Sequence, residues 1–309
     1  MMATYLILGG AGFLGLNLAR SLTGNGALVH LADRNFTLLE RAGMAGKVSL
    51  LSTSYADRDR IISYIDEHAI DVVIDLVSGL LPGSSFEAFT AEHENVLLPA
   101  TILVKELAAR GIHYIYFSSG GAVYGNSANE SLDENTECAP ISYYGQAKLL
   151  MENQIRFFHR KEGLEYLILR PSNPYGPLQD PSRKQGFIAT ALQTMLTSQR
   201  LEIWGDGHVI RDYIYVEDLT NAVGSLLQNG IKNETVNIGS GSGTSLRQVI
   251  AVLETVTGKS ADVSYGKGRA VDVRKVVLDV TKLHSLVDFA PRDIEAGIEQ
   301  YYKSLSENP

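Results

Sequence analysis

The chain has one cysteine among 309 residues, Cys138, so it has no means of closing an internal disulfide, and no Cys/His spacing of a metal site is present. A chain so poor in thiols is expected in a reducing compartment, and the reading is cytoplasmic. Positive charge is also in deficit: 27 Lys and Arg face 35 Asp and Glu, a formal charge of −8. No basic field exists to draw in nucleic acid or an anionic membrane, so neither is an expected partner. Anionic small molecules can bind only where an Arg or Lys is placed for them. No apolar run is long enough to span a bilayer. Residues 1–19 are apolar, but they lack a positive leader and four glycines interrupt them, so they read as folded chain and not as a signal peptide. Proline is scarce too. Of nine in all, Pro171, Pro174, Pro177 and Pro181 crowd one short stretch.

That stretch divides two textures. Before it, short apolar runs alternate with helical patterns. Strands are predicted at 5–8, 27–32, 48–51, 71–77, 113–118 and 166–169, and helices at 13–22, 59–68, 94–110 and 143–160. Near-continuous apolar strands are those buried on both faces. Strand–helix alternation predicts a doubly wound parallel sheet. After Arg170 the signals become shorter and irregular, with no linker, repeat or low-complexity segment. The expected organisation is a first domain over 1–170 and a smaller lobe over 171–309 packed on it, with segments returning to the first.

The first predicted strand runs into Gly9-Gly10-Ala11-Gly12-Phe13-Leu14-Gly15 and then a helix. Gly9 allows a tight turn, Gly12 lets a diphosphate approach the backbone, and Gly15 lets the helix pack close to the sheet. The helix N-terminus offers N–H groups and a favourable dipole. Asp33 ends the next predicted strand, where an acid accepts the adenosine ribose hydroxyls. It repels a 2′-phosphate and favours NAD, although Arg34 beside it is placed to bind such a phosphate. The expected fold is therefore α/β and Rossmann-like.

Tyr144 and Lys148 form Tyr-x-x-x-Lys on a predicted helix. Four residues are one turn, about 6 Å of rise, so both share a face. A cation beside a phenol lowers its pKa, and NAD⁺ adds a second positive charge, so the pair is suited to act as base and, in reverse, as acid.

With these motifs, the run Ser118-Ser119-Gly120-Gly121-Ala122-Val123-Tyr124-Gly125 resembles the extended short-chain dehydrogenases/reductases. Arg170-Pro171-Ser172-Asn173-Pro174-Tyr175-Gly176, Gly205-Asp206-Gly207, Arg211-Asp212-Tyr213, Asn237-Ile238-Gly239-Ser240-Gly241 and Arg269-x-x-Asp272 narrow the likeness to nucleotide-sugar epimerases and dehydratases, closest to the UDP-glucose 4-epimerase group. The resemblance implies NAD as cofactor, held by Gly9, Gly12, Phe13, Leu14, Gly15, Asp33, Leu76, Val77, Ser78, Asn95, Ser118, Tyr144, Lys148 and Pro171. It implies a substrate-binding C-terminal lobe and a nucleotide sugar, UDP-linked, met by Ser119, Asn173, Arg211 and Arg269. The two arginines suit a diphosphate through charge-assisted bonds. It also implies a homodimer built from helices 94–110 and 143–160.

The pattern departs from the family in places. Where the family has Ser or Thr to bond the reacting hydroxyl, this chain has Gly120, and Ser119 is the substitute candidate alongside a water. Related dehydratases carry an Asp-Glu pair where Gly121-Ala122 stands, so the groups for water elimination are missing and epimerisation is favoured. Ser54 replaces an Asp near the adenine. Val276 stands where a bulkier residue limits sugar size, which predicts room for an N-acetyl group. Pro99 inside the predicted helix 94–110 frees the carbonyl of Asn95, either to hold a relay water or simply as a kink. The expected activity is a nucleotide-sugar 4-epimerase. A 4-ketoreductase with released cofactor and a non-enzymatic dinucleotide sensor are the alternatives.

Overall fold

The computed structural model describes residues 3–127, 129–183, 186–268 and 273–307. Its strands are β1 (Thr4–Leu8), β2 (Leu28–Asp33), β3 (Ser49–Ser52), β4 (Val72–Asp75), β5 (His113–Phe117), β6 (Tyr166–Pro171), β7 (Asn173–Tyr175), β8 (Leu201–Trp204), β9 (Ile210–Tyr215), β10 (Glu234–Ile238), β11 (Gly243–Ser245), β12 (Val263–Gly266) and β13 (Lys275–Val276). Its α-helices are α1 (Phe13–Gly24), α2 (Arg58–Glu67), α3 (Phe86–Glu92), α4 (Leu98–Ala109), α5 (Tyr143–Glu162), α6 (Phe187–Leu196), α7 (Val216–Gln228), α8 (Leu246–Thr257), α9 (Thr281–Leu286) and α10 (Ile294–Glu307). Among the described residues no helix is long and apolar enough to cross a membrane.

Seven strands form one parallel sheet in the order β10-β6-β5-β4-β1-β2-β3. Alternation along each strand supplies both faces with apolar side chains. In β1, Ile7 points into one core with Leu16, Leu18 and Leu22 of α1 and Val223 and Leu226 of α7. Leu6 and Leu8 point into the other, with Ile61 and Ile65 of α2, Leu103 and Leu107 of α4, and Met151 and Ile155 of α5. Each such side chain taken from water contributes about 2 kcal/mol. The strand order reverses between β1 and β4, so the loops leaving their carboxyl ends diverge and open a crevice, where ligands of such sheets bind.

The remaining strands build a smaller layer. Here β9 pairs with β7, β11 and β13, and β8 pairs with β12. Ile188, Leu192, Ile203, Tyr213, Val249 and Leu253 form its core. Strand β10 follows this layer in sequence but lies at the edge of the large sheet, beside β6. Local signals stop and start the helices. Ser142 caps α5 by accepting from Gly145 N at 3.1 Å, and Gly163 ends it with φ +74°.

The single helix expected over 94–110 is not formed. A helix ends at Glu92, one π turn spans His93–Leu97, and α4 begins at Leu98. A π turn accommodates an extra residue in a helical path. Pro99 consequently sits in the first turn of α4, where a missing N–H costs nothing.

Candidate active site

The glycine turn sits at the crevice. Gly9 has φ +71°, and its N–H donates to Ala32 O at 2.9 Å. A Cβ on Gly10 would meet Ile7 O at 2.7 Å, and one on Gly15 would meet Gly10 Cα at 2.6 Å. At Gly12 the nearest atom is Gly9 O at 3.6 Å, so its outer side is open. Gly12 caps α1, whose first-turn N–H groups have no partner within the helix. The result is a cradle of backbone donors that a side chain at Gly12 would fill, and it fits a dinucleotide diphosphate.

Asp33 accepts from Ala11 N at 3.0 Å with one oxygen and from Arg34 N at 2.7 Å with the other. Each oxygen keeps a lone pair for a ribose hydroxyl. Leu76 and Val77 lie over Gly9: a Cβ there would be 3.3 Å from Val77 Cγ2 and 3.5 Å from the Leu76 carbonyl carbon. Replacing Gly15 by Ala drives a methyl into the Gly10 backbone at a cost of about 1–3 kcal/mol. The expected outcome is a lowered Tm and protein purified without dinucleotide, read by absorbance of the cofactor released on denaturation.

Helix α5 brings Tyr144 and Lys148 to the end of β5. Lys148 is buried, and its Nζ donates to Phe117 O at 2.8 Å and lies 6.0 Å from the Tyr144 ring centre. Burial pushes the Tyr144 phenol above its ordinary value. The Ser119 hydroxyl pulls it back in part, and the charge of Glu92 adds to the rise. Burial pulls the Lys148 ammonium down, against the charges of Asp75, Glu92 and Glu152. A second positive charge beside the phenol, such as a bound oxidised nicotinamide carries, acts against its rise and favours phenolate.

The two serines face opposite ways. Ser119 Oγ lies over Gly121, whereas the buried Ser118 donates to Glu152 Oε1 at 2.5 Å and is turned from the crevice. Gly120 has no room for a side chain: a Cβ would be 2.7 Å from Leu278 Cδ1 and 2.9 Å from Arg170 O. Its N–H donates to Pro171 O at 2.8 Å. A Cβ on Gly121 would lie 3.7 Å from Asn173 Oδ1 and 3.8 Å from Ser119 Oγ, so these two polar groups converge over Gly121. Asn173 Nδ2 donates to Asp212 O at 2.8 Å, which fixes that orientation. Arg211 on β9 is half-buried, with one guanidinium nitrogen on Ile210 O at 2.9 Å. Val276 is its register partner and is buried. Arg269 and Asp272 lie outside the described residues. Asn95 is not brought to the pair: it is exposed and its amide donates back to Ala91 O at 2.8 Å.

Three buried groups here carry no sequence motif. Glu152 is 0% exposed and bonds Arg170 through two contacts, 2.9 Å to Nε and 2.6 Å to the terminal nitrogen. Asp75 accepts from Tyr55 at 2.5 Å and Tyr114 at 2.6 Å. Glu92 accepts from Ser78 Oγ and Gly79 N. The Tyr144-Lys148-Glu152 spacing, one turn each, was the available signal for the first.

A family model described as NAD dependent epimerase/dehydratase family matches residues 5–239. A UDP-glucose 4-epimerase of Halalkalibacterium halodurans is 29% identical over 98% of this chain and 96% of its own. A dTDP-4-dehydro-6-deoxyglucose reductase of Escherichia coli is 28% identical over 97% of this chain and 96% of its own. The crystal structure of Thermotoga maritima UDP-glucose 4-epimerase with UDP-glucose is 30% identical, with a TM-score of 0.92 over 98% of this chain and 99% of that one.

Proposed function

The chain belongs to the NAD dependent epimerase/dehydratase family, and from that membership we propose that this NAD-dependent enzyme is a 4-epimerase of UDP-linked hexoses that works through a transient 4-keto sugar. The observation that carries the reading is Lys148 Nζ, held on Phe117 O and 6.0 Å from the Tyr144 ring centre, beside Gly121-Ala122, where no carboxylate stands to eliminate water. The likeness to epimerases over nearly the whole chain supports it.

NAD, when bound, supplies the acceptor and then the donor of the hydride at sugar C4. Tyr144 takes the proton of the C4 hydroxyl and later returns it, and Ser119 holds that oxygen in line. Lys148, anchored on Phe117 O, keeps a positive charge beneath the phenol. Arg211 and Arg269 clamp the diphosphate, so the keto sugar turns about a fixed anchor and presents its other face. Asn173 positions the sugar side of that anchor.

The test is mass-resolved and chromatographic analysis of products from UDP-sugars. Unchanged mass with a new sugar identity is expected; loss of water overturns the reading. Stoichiometric consumption of NADH on a 4-keto sugar selects the second reading, a 4-ketoreductase, which the named activity of the Escherichia coli relative favours.

Val276 offers a side chain smaller than the bulky residues that restrict the sugar. UDP-N-acetylglucosamine is therefore expected to turn over within about tenfold of UDP-glucose, since one pocket methylene or its absence is worth that order. Exclusive use of UDP-glucose rejects this. The active form is proposed as a homodimer through α4 and α5, which expose Leu98 (60%) and Phe157 (47%); a monomer by sedimentation rejects it.

A further inference from the structure

The π turn after α3 rotates the helical path so that Glu92, not Asn95, faces inward. Glu92 is 5% exposed. Its carboxylate accepts from Gly79 N at 3.0 and 3.1 Å and from Ser78 Oγ at 3.2 Å. Gly79 is glycine for this approach, because a Cβ there would sit 2.8 Å from Glu92 Oε2. Glu92 lines one cavity with Asp75, Ser78, Tyr116 and Lys148. It is thus a buried carboxylate on the same small chamber as the reactive lysine, with no arginine or lysine hydrogen-bonded to it among the described contacts.

We propose that Glu92 is a positioning residue that sets the charge state of the Tyr144–Lys148 pair, acting as the counter-ion of the chamber and as the anchor of the 78–79 loop. The proposal rests on the reading that Tyr144 moves the proton. The groups facing Glu92 are Ser78 from its loop, Asp75 from β4, Tyr116 from β5, and Tyr144 and Lys148 from α5. Asp75 is occupied by the hydroxyls of Tyr55 and Tyr114 and by Val77 N at 2.9 Å. Tyr116 is a buried neutral phenol. Glu92 is the carboxylate whose charge acts on the Tyr144 phenol, and after Asp75 and ahead of Glu152 it acts on Lys148 as well. A negative charge in a chamber of low dielectric disfavours phenolate and favours ammonium. Glu92 therefore keeps the pair protonated at rest.

The experiment is an alkaline difference-absorbance titration of the purified holoenzyme, taking the Tyr144 phenolate signal as the difference from the Tyr144→Phe protein. Glu92→Gln keeps the acceptor for Gly79 N and removes the charge. Its midpoint is expected to fall by about one pH unit. Glu92→Ser, which leaves room for water on the Gly79 N–H, gives the same fall, so misfolding of one variant leaves the test standing. Glu92→Asp keeps the wild-type midpoint, as does Glu94→Gln on the exposed side of the same turn. An unchanged midpoint in the folded Gln or Ser protein overturns the proposal, and so does an Asp variant shifted as far as Gln. The titration needs no substrate: a shifted midpoint in a protein inactive on every UDP-sugar fails the epimerase reading alone.

Discussion

Tyr144→Phe is expected to abolish sugar interconversion while NAD stays bound. The ring is kept and only the oxygen is lost, so the packing of α5 against β5 is undisturbed. What disappears is the group that carries the proton in both directions. Positioned proton transfer is worth about 10²–10⁴ in rate, and kcat should fall by that factor with little change in KM. Ser119→Ala removes the hydroxyl that would bond the reacting sugar oxygen and is expected to cost less, about tenfold, a single bond's contribution of roughly 1.4 kcal/mol. Its pH profile should move as well. The Ser119 hydroxyl holds the phenol below the value burial alone would give, so its loss shifts the acid limb upward. Single-turnover measurement of both variants, with NAD counted by release on denaturation, checks the pair. A Phe variant that retains full turnover removes Tyr144 from the mechanism.

Arg170→Met is expected to be the most destabilising of the single changes considered. Glu152 is wholly buried, and burial pushes its carboxyl up. The Arg170 guanidinium, the Ser118 hydroxyl and Arg156 outweigh that and hold it below the ordinary value. Removing the guanidinium leaves a buried charge without its main partner, at a cost of about 3–5 kcal/mol. That is a large share of the 5–15 kcal/mol typical of a folded domain. Glu152→Gln added to Arg170→Met removes the stranded charge and should recover most of the loss, a coupling that a double-mutant cycle reads directly. The sign with pH follows. A carboxyl depressed in the folded state contributes stability that is present above its unfolded value and lost as pH falls through the folded one. Chemical denaturation of the wild type should therefore weaken on the acid side, and the double variant should weaken less. Because Ser118 is bonded to Glu152 and its neighbour Phe117 anchors Lys148, the single variant should lose activity even where it stays folded.

The parts of the site legible in the sequence were those whose residues are close in the chain. Gly9, Gly12 and Gly15 follow one strand directly; Gly9 has a positive φ and Gly15 packs on the Gly10 backbone, while Gly12 leaves open space. Tyr144 and Lys148 are one helical turn apart. The parallel sheet was readable from apolar strands alternating with helices. The rest depended on long-range geometry. Glu152 and Arg170 are 18 residues apart and meet only because α5 lies against β6. The inward residue before α4 was misplaced because a π turn takes up extra chain without leaving a compositional mark, so Asn95 faces out and Glu92 faces in. Asn173 and Ser119, more than fifty residues apart, converge because they follow the paired ends of β5 and β6.

The crowding at Gly120 carries a consequence for descent. The family resemblance puts a hydroxyl-bearing residue at that position, whereas here Leu278 and the carbonyl of Arg170 occupy the space. A serine restored at 120 would clash on arrival, however useful its oxygen. Leu278 would have to shorten first and the end of β6 would have to yield. A chain with a large residue at 278 is therefore expected to keep glycine at 120.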